Sequence, residues 1–152
     1  EMFSDAQQSS QIQKRIDLFE ECLQIRLANF HPLSLPVFMT YCKLLDCYLE
    51  VGNNEKSIYY CLRICECYEE SGMYGNKEKD TMNLVHPMVG LQFHTLGDLL
   101  LDQCQQQRNQ GHNWDPQKLA MIRLSYTKAK DILTITHGPQ HPFVKELQLQ
   151  LQ

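Results

Sequence analysis

The sequence predicts an all-α fold of antiparallel helix pairs, with five full helices and a partial sixth. Three observations carry this. Apolar residues recur at steps of three and four along most of the chain, the spacing of one helix face. The breaks between these runs hold His-Pro, Asp-Pro and lone glycines, which start and stop helices. Period-two alternation, the mark of a half-buried strand, is nearly absent.

The first helix is expected over residues 4–29, with Ile12, Ile16, Phe19, Leu23 and Leu27 as its apolar stripe. It should stop at His31-Pro32, because a residue before proline is pushed out of the α region. The second helix is expected from Leu35 to Val51, with Val37, Tyr41, Leu44 and Tyr48 facing inward. Ser34 can cap its orphan N–H groups, and Pro36 fits the first turn, where the missing N–H costs nothing. Gly52 stands where a left-handed terminator belongs. Asn53 or Asn54 should cap a third helix carrying Ile58, Cys61, Leu62, Cys65 and Tyr68 and ending at Ser71-Gly72. Residues 72–85 are polar and of mixed charge, and are read as an exposed loop.

His86-Pro87 opens a fourth helix with Val89, Phe93, Leu96 and Leu100 on one face. Residues 105–113, rich in Gln and Asn, are read as a polar connection. Asp115-Pro116 pairs an N-cap with a proline at the first helical position. The fifth helix then carries Leu119, Ile122, Tyr126, Ala129, Leu133 and Thr136 to a terminator at Gly138. His141-Pro142 begins the short sixth, with Phe143, Leu147 and Leu151. The three His-Pro pairs, at 31, 86 and 141, are read as helix-start devices rather than as functional histidines. His94 is expected to be structural or solvated.

With 152 residues, the chain has the length of one domain. It needs no metal or disulfide to fold at this size. Its 14 basic and 18 acidic groups give a net charge of −4, against a dedicated nucleic-acid binder. The acidity is uneven, with 6 basic and 11 acidic groups in residues 1–76 but 8 and 7 in residues 77–152. No apolar run approaches the ~20 residues of a membrane span. Glu1-Met2-Phe3 shows no signal pattern, and both ends are expected to be cut from a longer protein. A cytoplasmic or nuclear location is expected. The seven cysteines (22, 42, 47, 61, 65, 67 and 104) include no C-x2-C pair, so zinc-ribbon spacing is absent. They are read as small core residues in a reducing compartment. No triad, metal set or phosphate loop is visible, so this chain is not expected to be an enzyme by itself, and no catalytic, cofactor or metal residue is assigned.

The repeated turn–helix–turn–helix unit points to stacked helical pairs, since one such pair leaves an apolar face uncovered. The tetratricopeptide pattern fits loosely. Tyr41, Leu44, Leu45 and Tyr48 with Gly52 occupy its first-helix positions, and Leu45 departs from the small residue expected. Ser57 and Cys61 take the second-helix positions. In the second unit Phe93, Leu96, Gly97 and Leu100 fit the first helix, and Tyr126 and Ala129 the second.

The order HPLSLPVFMTYCKLLDCYLEVGNNEKSIYYCLRICECY, then HPMVGLQFHTLGDLLLDQ, then KAKDILTITHGPQHPFVKELQ resembles the C-terminal helical domain of the SET-and-MYND (SMYD) lysine methyltransferases. Residues 12–149 carry the likeness. It implies a tetratricopeptide-like array packed against the parent's catalytic lobe, and a parent that uses S-adenosylmethionine and zinc. The cofactor motif and cysteine pairs of that lobe have no counterpart here. The implied function is a protein-interaction and scaffold domain that shapes the substrate cleft and binds partners. The alternative is a free-standing adaptor of kinesin-light-chain type, binding peptides in its concave groove.

On that alignment Asp46 matches Asp98 and Glu50 matches Asp102. With His94 they form a candidate concave, acidic groove. One sign of charge in a cleft concentrates opposite-charged partners, here Lys/Arg-rich peptides. No Lys/Asn clamp for an acidic chaperone tail is evident. The competing expectation is a solvated polar face.

Overall fold

The computed structural model describes residues 2–70 and 86–152. Helices in chain order are α1 (Met2–Asn29), α2 (Leu35–Val51), α3 (Asn54–Glu70), α4 (Pro87–Asn109), α5 (Pro116–His137) and α6 (Pro142–Gln150). No strand occurs among the described residues, so the all-α expectation holds. The expected 72–85 loop and the end of the third helix at Ser71-Gly72 lie outside the described residues. The chain divides into two compact units, residues 1–67 and 68–152.

Local chemistry sets most helix ends. All three His-Pro pairs use one device. The ring Nδ1 accepts the N–H two residues on, from Leu33 at 3.1 Å, Met88 at 3.1 Å and Phe143 at 3.2 Å. The imidazole thus satisfies an otherwise orphaned donor near each helix start, and the histidines act as the sequence implies. Asp115 caps α5 by accepting from the Gln117 N–H at 2.9 Å. Asn53 caps α3, its Oδ1 accepting from the Lys56 N–H at 3.1 Å. Gly52 ends α2 at φ 74°, a left-handed conformation that glycine adopts without a Cβ penalty.

Four expectations need correction. Ser34 stands at the N-cap of α2, but its hydroxyl makes no capping bond and is buried without a partner; His31 accepts the nearby Leu33 N–H instead. The polar connection shrinks from residues 105–113 to 110–115, because Gln and Arg are good helix formers and nothing breaks the helix before Gly111. Leu119 and Phe143 are exposed rather than core. In α6 Val144 takes the inward position with Leu147, three residues apart on one face. Cys22 and Cys42 are only half-buried, whereas the other five cysteines are buried and none of the seven forms a disulfide.

In the first unit, Arg15 meets Glu50, Glu20 meets Tyr48, and Arg26 meets Thr40. Rising numbers on α1 match falling numbers on α2, so the two helices run antiparallel. Tyr60 then contacts both Tyr48 and Tyr41, joining α3 to α2. The core comprises Ile16, Leu23, Val37, Leu44, Leu45, Ile58, Cys61 and Ile64, among others.

The second unit shows the same reversal. A Cβ on Gly90 would meet Leu133, and one on Gly97 would meet Tyr126; further along, Lys118 bonds Gln107. The α4–α5 seam is close because two glycines line it. A Cβ at Gly97 would lie 2.6 Å from the Tyr126 ring, and one at Gly90 2.8 Å from Leu133. Ala129 and Leu133 are wholly buried beside them.

Candidate functional site

Asp46 and Glu50 belong to the first unit, and His94, Asp98 and Asp102 to the second. Four of the five already make local contacts. Arg15 bridges Glu50 at 3.0 Å, with both side chains about half exposed, so the pair adds little stability. Asp46 is exposed on α2. Burial, reinforced by the Asp46 carboxylate, pushes the Cys42 thiol up to about 11.

Asp98 accepts the Tyr126 hydroxyl at 2.7 Å. Burial, then this bond to a carboxylate, raises the tyrosine pKa. His94 Nε2 stands 3.5 Å from the other Asp98 oxygen, too far for a firm hydrogen bond. The His94 ring meets Tyr126 and Phe143 edge-on, at 6.0 and 6.3 Å between centroids. It is a wedged, half-buried ring rather than a solvated one. Asp102 is exposed and accepts from Gln106 at 3.3 Å. Within its unit, Asp98 therefore anchors the α4–α5 seam as well as presenting charge.

A second site lies in the first unit. In α1 the inward stripe runs Ile16, Glu20, Leu23, Leu27, with steps of four, three and four. Glu20 therefore occupies an apolar position. Its Oε1 accepts the Tyr48 hydroxyl at 2.5 Å and, more weakly, the Tyr60 hydroxyl at 3.4 Å. Tyr48 and Tyr60 stack at 5.6 Å, and Tyr59 meets Tyr60 edge-on at 5.0 Å. Burial leads in raising both hydrogen-bonded hydroxyls, with the Glu20 charge adding to it. Those tyrosines therefore stay protonated and able to donate.

Beside this cluster lies a cleft of about 390 Å³, walled by Glu20, Glu21 and Gln24 of α1, Tyr41 of α2, and Lys56, Tyr59 and Tyr60 of α3. The readable signal was a glutamate within an apolar stripe, since an inward charge demands hydrogen-bond partners. Its partners, 28 and 40 residues away, follow no local pattern. A second inward polar residue, Arg26, donates to the Pro36 carbonyl at 2.9 Å and to the Thr40 hydroxyl at 2.8 Å. It ties the end of α1 to the start of α2.

Among the described residues, no group of three or more His, Cys, Asp or Glu side chains is placed to hold a metal. Likewise, no described helix is long and apolar enough to cross a membrane. The arrangement offers one hydrogen-bonded carboxylate, Glu20, and tyrosine rings beside a cleft, which suits a polar, cationic group.

No family model matches the chain. It is similar to Histone-lysine N-methyltransferase ASHR1 of Arabidopsis thaliana, with 29% identity over 140 residues. The matched stretch covers 92% of this chain but only 24% of that protein, so the chain spans about a quarter of its relative's length. Nearly the whole of this helical chain is thus related to one part of a histone-lysine methyltransferase.

Proposed function

We propose that this chain is the protein-interaction and scaffold domain of a SET-and-MYND-type lysine methyltransferase. It shapes one side of the parent's substrate cleft and binds protein partners. The parent uses S-adenosylmethionine and zinc, held outside these residues, in the cytoplasm or nucleus. The carrying observation is the match of almost the entire chain to a quarter of a histone-lysine methyltransferase. Two further features support it. The helices form antiparallel pairs whose seam in the second unit uses a tetratricopeptide-like small position, Gly97, under Tyr126. The charged side chains expected at the groove make structural bonds or face solvent.

The test is a chimaera. The corresponding quarter of the Arabidopsis methyltransferase is deleted, then replaced by this chain, and histone methylation is measured for both. Deletion should lower the rate and the graft should restore it. Equal deficiency of deletion and chimaera, with both proteins folded, would overturn the scaffold reading.

A further inference from the structure

We propose that the cleft between α1, α2 and α3 in the first unit receives the cationic side chain of a lysine-rich peptide. This deepens the partner-binding reading and rests on it. The key group is Glu20. It is half-buried, and no described lysine or arginine pairs with it. A partly desolvated carboxylate without a counter-cation is costly. Here two tyrosine hydroxyls offset part of that cost, and both spend their protons on Oε1. Oε2 retains its acceptor capacity. The carboxylate is thus held in place by Tyr48 and Tyr60, with one oxygen left for a donor.

The rest of the cleft suits the same guest. Glu21 and Gln24 add acceptor oxygens, and exposed Tyr59 supplies an aromatic wall. The Arg63 guanidinium lies 5.2 Å from that ring's centroid, so a guest cation shares the ring with an existing positive charge. The volume of about 390 Å³ falls within the ~300–1,000 Å³ of ordinary ligand pockets. Lys56 is the basic residue of the lining, and its charge opposes the guest. Because the lining presents acceptor oxygens, it favours an ammonium with N–H donors over a quaternary one.

The test is fluorescence anisotropy of the whole chain with a labelled oligolysine peptide, its acetylated form and its trimethylated form. The lysine peptide should bind, and acetylation should weaken it by about tenfold, the scale of one charged hydrogen bond. Glu20→Gln should weaken it by about the same factor. The glutamine keeps an oxygen for the two tyrosine hydroxyls, so the fold survives. Glu21→Gln, on an exposed residue, should weaken binding by about threefold, and Lys56→Glu should tighten it. Glu55→Gln removes the same charge from an exposed residue of the same unit that does not line the cleft, and should change affinity by less than about twofold.

Four results would overturn the assignment. One is no lysine-peptide binding up to about 1 mM. Another is wild-type affinity in both Glu20→Gln and Glu21→Gln. A third is equal loss in Glu55→Gln, which would make the effect one of overall charge rather than of the cleft. The last is tighter binding of the trimethylated peptide, which would indicate an aromatic cage instead. The two proposals fail separately. An active chimaera without peptide binding removes only the cleft, and peptide binding with an inactive chimaera removes only the scaffold.

Discussion

The two compact units solve the same packing problem with opposite residues. At aligned first-helix positions the first unit has Leu45 and the second has Gly97. Leu45 is buried and fills its own space. Gly97 leaves room, and the Tyr126 ring lies against the bare backbone. The units also satisfy their inward tyrosines differently. Tyr126 bonds Asp98, whose side chain is more than half exposed. Tyr48 bonds Glu20, a half-buried carboxylate on the apolar face of α1. Small residues close the α4–α5 seam, whereas charge and bulky rings in the first unit border a cleft. One helical plan can thus be tight or open according to a few side chains.

The sharpest way to break the contrast is to exchange those side chains. Leu45→Ala should cost about 3 kcal/mol, the usual loss for a buried leucine whose site cannot collapse. Gly97→Ala should cost about 2 kcal/mol, because its methyl would overlap a ring held by a hydrogen bond. Denaturant titrations would measure both. A loss below about 0.5 kcal/mol at Gly97 would mean that the seam is looser than the glycine implies.

The tyrosine bonds separate the units next. Tyr48→Phe deprives a half-buried carboxylate of its strongest donor and should cost about 2 kcal/mol. Tyr126→Phe leaves Asp98 open to water and should cost about 1 kcal/mol. Equal costs would show that burial of the acceptor does not distinguish the two sites. Helix starts should respond about as much as Tyr126. His86→Ala removes the acceptor of the Met88 N–H and should cost about 1 kcal/mol, and His86→Asn should recover most of it.

The last effect appears only in alkali. The Cys42 thiol is held up to about 11 from an ordinary value near 9. A raised folded value favours the protonated thiol. Its stabilising contribution is therefore complete below about pH 9 and disappears as pH rises towards 11. Alkylation of Cys42 should accordingly be slow at pH 8, and Cys42→Ala should flatten the alkaline loss of stability. A steep loss that persists in Cys42→Ala would assign it to other groups.

Sequence and structure divide at identifiable residues. Leu35–Val51 is bounded as the sequence implies because Pro36 and Gly52 act through their own backbone angles. The same holds at His86-Pro87, Asp115-Pro116 and Gly138. α4 runs on to Asn109, past the point where polarity suggests a loop, because glutamine propensity permits a helix. Phe143 shows the limit of hydrophobicity. It is large and apolar, yet Val144 and Leu147 take the buried face of α6. Of the expected groove, each residue could be placed on a helix, but its hydrogen-bond duties could not be read. Asp98 is tied to Tyr126 through a contact 28 residues long.

By itself, then, the sequence determined where most helices begin and end, that they pair, and which stripes turn inward. Those features depend on residues within a turn or two of one another, where proline, glycine and capping groups act directly. Tertiary structure decided that Glu20 gathers Tyr48 and Tyr60, that Gly97 receives Tyr126, and that a cleft lies beside α1. These outcomes depend on which side chains meet across a seam, and on how much space their volumes and charges leave.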